Sequence, residues 1–421
     1  MVAEVLLVAS AADIAGIALN APLWLFWAGC LLYLLLLTLG AALYRRRPRP
    51  EPESKRQICI LIPAHNEEMN LGAVLEGLRA QDYPAQRYQI VVIADNCSDR
   101  TAEIGRTHGA QVLERADAAR RGKGYALDWA LNRLLTDPRR FDAFLILDAD
   151  SVLSPNFLSA MNAAMEQGHG AIQGRYDVLN VQEGWRTRLM TCALALAHYV
   201  KPLGRNTFGL SDGLKGNGMC FSREVLERVP WSGESITEDI EYTLRLVLEG
   251  IRIEFVPEAV VRAQMPTGGR QAATQRQRWE GGRYGLMKRA FALLAQGIRM
   301  RRIAVIDRAA ELIIPPFVEL VTLPALGLLI GGLWLWLAPE AIGARWMLWG
   351  WGGILASLAA YLAIGLALAR VPMAVAFSLL FAPLYIFWKL GLYGAMILRR
   401  GAGGWQRTER HTLQIGGNQR D

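Results

Sequence analysis

Ala143-Phe144-Leu145-Ile146-Leu147-Asp148-Ala149-Asp150 is the stretch on which the fold turns. Five apolar residues end abruptly on a pair of acids. So short and unbroken an apolar run reads as a strand buried on both faces, as in a parallel sheet packed between helices. Two earlier stretches repeat the form. Ile58–Pro63 runs into His65-Asn66-Glu67-Glu68, and Gln89–Ala94 runs into Asp95-Asn96. Helical patterns lie between, at Leu71–Ala80 and Gly124–Leu135. This alternation predicts an α/β domain with a largely parallel sheet covered on both faces. Ligands of such sheets bind at the carboxyl ends of the strands. Three polar clusters at three strand ends therefore point to one site.

Outward from this middle region the composition changes. The chain has 421 residues, 52% of them hydrophobic and 20% charged, with a mean hydropathy of +0.18. These values exclude a wholly soluble or disordered chain. From Val5 to Leu43 the only charge is Asp13, and Leu23–Leu43 is long enough to cross a bilayer. The residues before Leu23 form either a second, poorer span or an interfacial helix. A cleaved signal fits less well, because the apolar run is long and no clear cleavage site follows. Leu320–Ala338 and Trp346–Ala369 carry no charge, and tryptophans 334, 336, 346, 349 and 351 cluster at the turn between them. Met373–Leu398 is apolar apart from Lys389, with Pro383 in its middle. Arg45, Arg46, Arg47 and Arg49 follow the first span, which places the middle region in the cytoplasm. Arg399, Arg400, Arg407 and Arg410 place the tail there too. An even number of crossings is then needed after residue 310, so Met373–Leu398 is expected to be broken, re-entrant or interfacial.

The expected organisation is a membrane segment of one or two helices over 1–44, a basic Pro-rich linker over 45–56, and the α/β domain over 57–290. An amphipathic interface region over 291–317, two or three membrane segments over 318–398 and a tail over 399–421 complete it. The five cysteines form no CxxC pair, so neither a zinc framework nor a disulfide scaffold is indicated. The net charge of +8 favours anionic partners. Its basic residues flank membrane segments rather than forming an aromatic-interleaved patch, which argues against nucleic acid and for membrane lipids.

Each candidate motif has a plainer reading beside the chemical one. Asp148 and Asp150 at a strand end suit a hard cation such as Mg2+ or Mn2+ bridging a diphosphate, but they also suit a solvated turn. Asp95 can meet a nucleotide base or ribose, while Ser98 or Asp99 can cap the next helix. In Arg121-Gly122-Lys123-Gly124, Lys123 can reach a phosphate, although the pattern is not a P-loop. Thr237-Glu238-Asp239 opens a helix, where acids complement the dipole and Ser235 with Glu238 fits a capping box. Asp239 there can also act as a general base on an acceptor hydroxyl. Gln275, Arg278 and Trp279 share one helical face. That face can support a diphosphate and stack on a sugar, or it can be part of a cationic helix on a membrane surface with Arg283, Lys288 and Arg289.

Taken in order, Asp95, Asp148-x-Asp150, Thr237-Glu238-Asp239 and Gln275-x-x-Arg278-Trp279 resemble the motif set of membrane-integrated glycosyltransferases of family 2. That group includes cellulose, hyaluronan and poly-N-acetylglucosamine synthases, and glucosylceramide synthases share a comparable set. The resemblance covers roughly residues 55–290. It implies a GT-A-type nucleotide-sugar-binding domain inserted between transmembrane helices. It further implies inverting, metal-dependent transfer from a nucleotide-diphosphate sugar, with a UDP-sugar expected as donor. Carried over, Glu67, Asp95, Lys123 and Asp148 would hold the nucleotide, and Asp150 with Asp148 the metal. Asp239 would be the base and Arg278 would support the diphosphate. Gln275 would shape the same face, and Trp279 and Glu238 would meet the acceptor. Gln264 departs from the pattern, since relatives often carry an acid there. Lys215-Gly216-Asn217-Gly218 sits where an acceptor-contacting loop is expected, and Trp405-Gln406-Arg407-Thr408 resembles a gating-type tail segment.

The resemblance implies a synthase in the inner cell membrane that extends a β-linked polysaccharide, with secretion or assembly proteins as partners. The alternative is transfer of one or a few sugars to a lipid: diacylglycerol, ceramide or a polyprenyl-linked oligosaccharide. A non-catalytic membrane scaffold is the remote third reading.

Overall fold

The computed structural model describes residues 10–45, 54–233 and 237–398, except for the side chains of 270, 274, 275, 277–284 and 395–398. Residues 46–53 of the linker, the tail with Trp405-Gln406-Arg407-Thr408, and Ser235 of the expected capping box lie outside the described residues.

Eight strands form one sheet: β1 Ile58–Ala64, β2 Tyr88–Asp95, β3 Gln111–Arg115, β4 Ala143–Ile146, β5 Ser151–Leu153, β6 Ala171–Val178, β7 Met219–Ser222 and β8 Ile253–Ala263. Their order is β3-β2-β1-β4-β7-β6-β8-β5. The first half, β3 to β4, is parallel. In the second half β7 runs antiparallel to both β4 and β6, and β5 runs antiparallel to β8. The sheet is therefore mixed, where a largely parallel one was expected. Strands β5 and β7 have three and four residues, too few to announce a direction by pattern.

Strand β1 shows why the core is two-sided. Ile58, Ile60 and Ile62 pack with Leu71, Leu75, Phe157 and Met161 on one face. Cys59 and Leu61 pack with Leu127, Leu131 and Phe144 on the other. The chain leaves β1 for β2 and β3 on one side and returns to β4 on the other. This is a topological switch point, the place where an α/β sheet opens a crevice at its strand ends.

Four helices among the described residues are long and apolar enough to cross a membrane: Ala11–Leu43, Phe317–Leu337, Ile342–Leu368 and Met373–Gly394. Among the described residues the N-terminal segment is a single helix of 33 residues that runs through Pro22. At about 50 Å it exceeds a hydrocarbon core. Asp13, its lone charge, is buried: Ser10 and Asp13 form a capping box, and Asp13 Oδ1 accepts from the Gly343 backbone N–H at 2.6 Å. The carboxylate thus meets the N-terminus of Ile342–Leu368. The last apolar segment is interrupted as expected, with the short helix Met373–Ala376, a tight 3-10 turn Phe377–Phe381 and then Ala382–Leu398. Lys389 is buried and pairs with Glu319 at 3.3 Å.

The membrane helices and the sheet domain are packed together. Trp27, Leu31, Leu34, Trp351 and Tyr361 share a core with Leu196, Val200 and Leu203 of the sheet domain's own helices. Gly204 lies so close to the N-terminal helix that a Cβ there would stand 2.0 Å from the Leu37 carbonyl oxygen. The helix Gly269–Met300 crosses residue 290 without a break, so the expected boundary between domain and interface region falls inside an element.

Candidate active site

At the switch point, Asn66 and Asn96 adopt left-handed backbone, with φ of 56° and 51°, and turn the chain after β1 and β2. The two turns hold each other. His65 Nδ1 lies 2.7 Å from the Asp95 carbonyl oxygen, Ser98 N–H donates to Asn66 Oδ1 at 2.8 Å, and Glu67 N–H donates to Thr101 Oγ1 at 2.8 Å. Asp99 Oδ1 accepts from Thr101 N–H at 3.0 Å, so Asp99 supplies the turn before helix Thr101–Thr107. Asp95 is left for other work. It is buried, and its Oδ1 accepts from Arg115 Nη1 at 2.6 Å and from Asn96 Nδ2 at 3.0 Å. Arg115 also reaches Asp117 at 3.0 Å. Asp95 and Arg115 are register partners across β2 and β3.

Lys123 opens the helix Lys123–Leu135, after Gly122 with φ of 121°. Its ammonium donates to Asp148 Oδ1 and to the Gly216 carbonyl oxygen. Asn217 locks the same loop to the acidic strand end. Asp148 N–H donates to Asn217 Oδ1 at 3.1 Å, and Asn217 Nδ2 donates to Ser151 Oγ at 2.8 Å. Ser151 Oγ in turn donates to the buried Asp150 at 3.3 Å. Gly216 needs its freedom: φ is +77°, and a Cβ would lie 3.4 Å from Asp239 Oδ2. The loop that holds Lys123 therefore also lies against Asp239.

Glu238 and Asp239 are half-buried at the start of helix Glu238–Leu248. Burial pushes the Glu238 carboxyl up to about 7, and the Asp239 charge adds to this while Lys123 opposes it. Burial also raises Asp239, against the Ile240 N–H, Lys123 and Lys215. The Ile240 N–H donates to Asp239 Oδ1 at 2.8 Å. A carboxyl raised above its ordinary range by burial, beside a second one raised to about 7, is what a general base needs.

Beneath the loop lies a buried ionic network that no sequence pattern announced. Lys215 Nζ donates to Asp212 Oδ1 at 3.2 Å and to the Gly213 carbonyl at 2.7 Å. Arg205 stands 3.8 Å from Asp212 and donates to Asp307 at 3.0 Å, to Tyr33 Oη at 2.7 Å and to Glu311. Tyr33 belongs to the first membrane helix and donates to Asp307 at 2.8 Å. The network thus ties that helix to the loop carrying Gly216.

For a metal the chain offers part of a shell. Among the described residues no group of three or more His, Cys, Asp or Glu side chains could hold an ion. Asp148 and Asp150 offer carboxylate oxygens, the donors a hard cation takes, and Asp148 is shared with Lys123. The donor set fits Mg2+ or Mn2+ when further oxygens come from outside the chain. Gln264 directly follows β8, whose Ala263 pairs with Ser151, and its amide offers only a neutral oxygen. Gln275, Arg278 and Trp279 lie on the helix Gly269–Met300, and their side chains are outside the described residues.

Comparison with known proteins agrees with this architecture. Residues 55–282 match the family described as glycosyltransferase like family 2. The chain is 26% identical to the probable glycosyltransferase YdaM of Bacillus subtilis over 294 residues, 66% of this chain and 68% of that one. It is 29% identical to the beta-monoglucosyldiacylglycerol synthase of Synechocystis sp. over 54% of this chain and 48% of that one. With the poly-beta-1,6-N-acetyl-D-glucosamine synthase of Staphylococcus aureus it shares 24% over 58% of this chain and 59% of that one. The match thus spans about half to two thirds of the length of these curated relatives. The fold is shared with the mannosyltransferase PcManGT of Pyrobaculum calidifontis, solved with GDP-Man and Mn2+. The TM-score is 0.52 at 19% identity, over 92% of this chain and 99% of that one.

Proposed function

The chain belongs to glycosyltransferase family 2, and from that premise we propose that it is an inverting, metal-dependent transferase working at a membrane on a nucleotide-diphosphate sugar. The observation that carries this reading is the meeting of Lys123, Asp148, Gly216 and Asp239 around one loop. Diphosphate-binding and proton-accepting groups are thereby within reach of a single donor sugar.

In this reading Asp95 Oδ2 meets the base or ribose, because Oδ1 is held by Arg115 and Asn96. Glu67 lines the same strand-end crevice. Lys123 turns from Asp148 toward the diphosphate, and Arg278, with Gln275 beside it, supports the same group. Asp239 takes the proton of the acceptor hydroxyl. The acceptor oxygen forms the new bond to the anomeric carbon from the face opposite the diphosphate, whose C–O bond breaks as the nucleoside diphosphate departs. One displacement inverts the centre, so an α-linked donor gives a β-glycoside. Glu238 and Trp279 would position the acceptor. A divalent cation held by Asp150 and Asp148 would neutralise charge on the departing diphosphate. The basic residues that follow the first span support a cytoplasmic catalytic domain in a multi-pass protein of the inner membrane.

Extension of a β-linked polysaccharide is the first reading of the acceptor. Transfer to a lipid is the second. It is favoured by the glucolipid synthase among the relatives and by the four candidate spans among the described residues, few to enclose a polymer. The test supplies the protein in lipid nanodiscs with radiolabelled nucleotide sugars, a UDP-sugar first, together with Mg2+ or Mn2+ and a lipid extract. Label in a high-mass, glycosidase-sensitive aqueous fraction establishes the polymer. Label in the organic phase establishes the glycolipid, and label in neither with every donor overturns transferase activity.

A further inference from the structure

The helix Trp185–Leu194 leaves the sheet domain and packs against Met373–Ala376 and Phe377–Phe381 of the broken membrane segment. Between them is a cavity of about 330 Å³, within the range of small-molecule pockets. Its lining is mostly apolar, with Ser378 as the one hydroxyl in it. Trp185 stacks on Phe381 with centroids 5.6 Å apart, and Phe377 and Leu380 are 62% and 78% exposed. In a bilayer these residues continue the lipid-facing surface of the segment.

The mouth is cationic. Arg188 lines the cavity and donates to the amide of Gln182 at 3.1 Å, while its Nε is buried without a partner. Arg186, next to it, is held over the rings of Trp185 at 4.4 Å and Trp388 at 4.8 Å, with Nη1 likewise unpartnered. Among the described residues neither guanidinium has a carboxylate partner. Arg188, a guanidinium without a counter-ion at the edge of an apolar groove, asks for an anion with a hydrocarbon tail. A soluble sugar would find almost no hydrogen-bonding groups on the inner walls. A phosphodiester fits the fork of a guanidinium, and the inner leaflet supplies such headgroups.

We propose that this groove binds a phospholipid with an anionic headgroup, its phosphate at Arg188 and an acyl chain along Phe377, Leu380 and Phe381. The site is independent of which acceptor the enzyme uses, and it can be read without any donor present.

The full chain is placed in nanodiscs of neutral phosphatidylcholine doped with a photoactivatable phosphatidylglycerol, and adducts are mapped by mass spectrometry. Adducts are expected on residues 184–188 and 374–381. Unlabelled phosphatidylglycerol should displace them, and unlabelled phosphatidylcholine should not. Arg188→Gln should lower the yield at this site roughly fivefold, as loss of one interfacial cation implies. Arg188→Lys should retain most of it. Arg345→Gln, at the start of a different membrane helix, should leave it unchanged. Adducts spread evenly along all four candidate spans, equal displacement by the neutral lipid, or an unchanged yield in Arg188→Gln would each overturn the proposal. The displacement arm uses the unaltered chain, so the outcome does not hang on the folding of a variant.

Discussion

Lys123 holds Asp148: its ammonium donates to Asp148 Oδ1 and, with a second hydrogen, to the carbonyl of Gly216. The first acid of the pair is thus charge-neutralised in the absence of donor, and a cation must compete with an ammonium for it. Lys123→Met should therefore tighten binding of Mn2+ to the donor-free protein, read by electron paramagnetic resonance. The same variant should weaken donor binding by roughly 10- to 100-fold, the worth of one charge-assisted hydrogen bond. Chelation should abolish transfer, and added Mg2+ or Mn2+ should restore it. Activity indifferent to chelation would remove the metal role.

Asp239, the proposed base, should govern the acid limb of the pH profile. A general base works only when deprotonated, and burial raises Asp239 while Glu238 sits near 7. The acid limb of the rate profile should therefore lie above the ordinary aspartate range. Asp239→Asn should cost about two to four orders of magnitude in kcat, with nucleotide affinity nearly kept. Turnover near the unaltered level would refute the assignment.

Glu238 should be a stability cost that depends on pH. Its folded carboxyl titrates near 7, against an ordinary value of 4.5, so the folded state holds the proton more tightly. That contribution is fully present below about 4.5 and is lost as pH rises through 7. Glu238→Gln removes the titration, so its midpoint of thermal unfolding should exceed that of the unaltered protein at pH 8 and match it at pH 4.5. A tenfold change in proton affinity is worth about 1.4 kcal/mol, which bounds the gain at about 3 kcal/mol, less for a half-exposed carboxyl in contact with solvent. Equal melting differences at both pH values would contradict the assignment.

What could be read along the chain was whatever a short window contains. Strands β1, β2 and β4 were legible because unbroken apolar runs stop at acids, and the crevice followed from three such stops. The partner of Asp95 was not legible. Arg115 meets it only because β2 and β3 pair in a register that sets the two residues opposite each other. Asp307 lies 102 residues from Arg205 and 274 from Tyr33, so no pattern in sequence could join them. The N-terminal segment was open between one helix and two. Pro22 removes one backbone hydrogen bond, but in an apolar setting the remaining groups have no partners outside the helix, and the helix runs on.

Arg115 is predicted to be essential to the nucleotide end of the site. It is buried with Asp95, and Arg115→Met would leave that carboxylate without its cation. Breaking a buried pair from one side typically costs about 3–5 kcal/mol. The variant should unfold at lower temperature and bind nucleotide weakly. Adding Asp95→Asn should recover much of the stability, because the orphaned charge is gone, but not the nucleotide affinity. A double variant no more stable than Arg115→Met would show that the pair is not what holds this corner.

Lys215 should set the pH at which Asp239 works. It is buried, tied to Asp212 and the Gly213 carbonyl, and its charge helps to keep Asp239 ionised. Its neighbour Gly216 lies against Asp239 and holds Lys123, so the residue touches both halves of the site through one loop. Lys215→Met removes the favourable charge, and the acid limb of the rate profile should move to higher pH. Loss of Lys215 also leaves Asp212 to Arg205 alone, so some loss of stability is expected alongside. The two effects separate in the profile. A purely structural role lowers the amount of active enzyme at every pH and leaves the limb where it was, whereas an electrostatic role moves the limb in whatever enzyme remains folded.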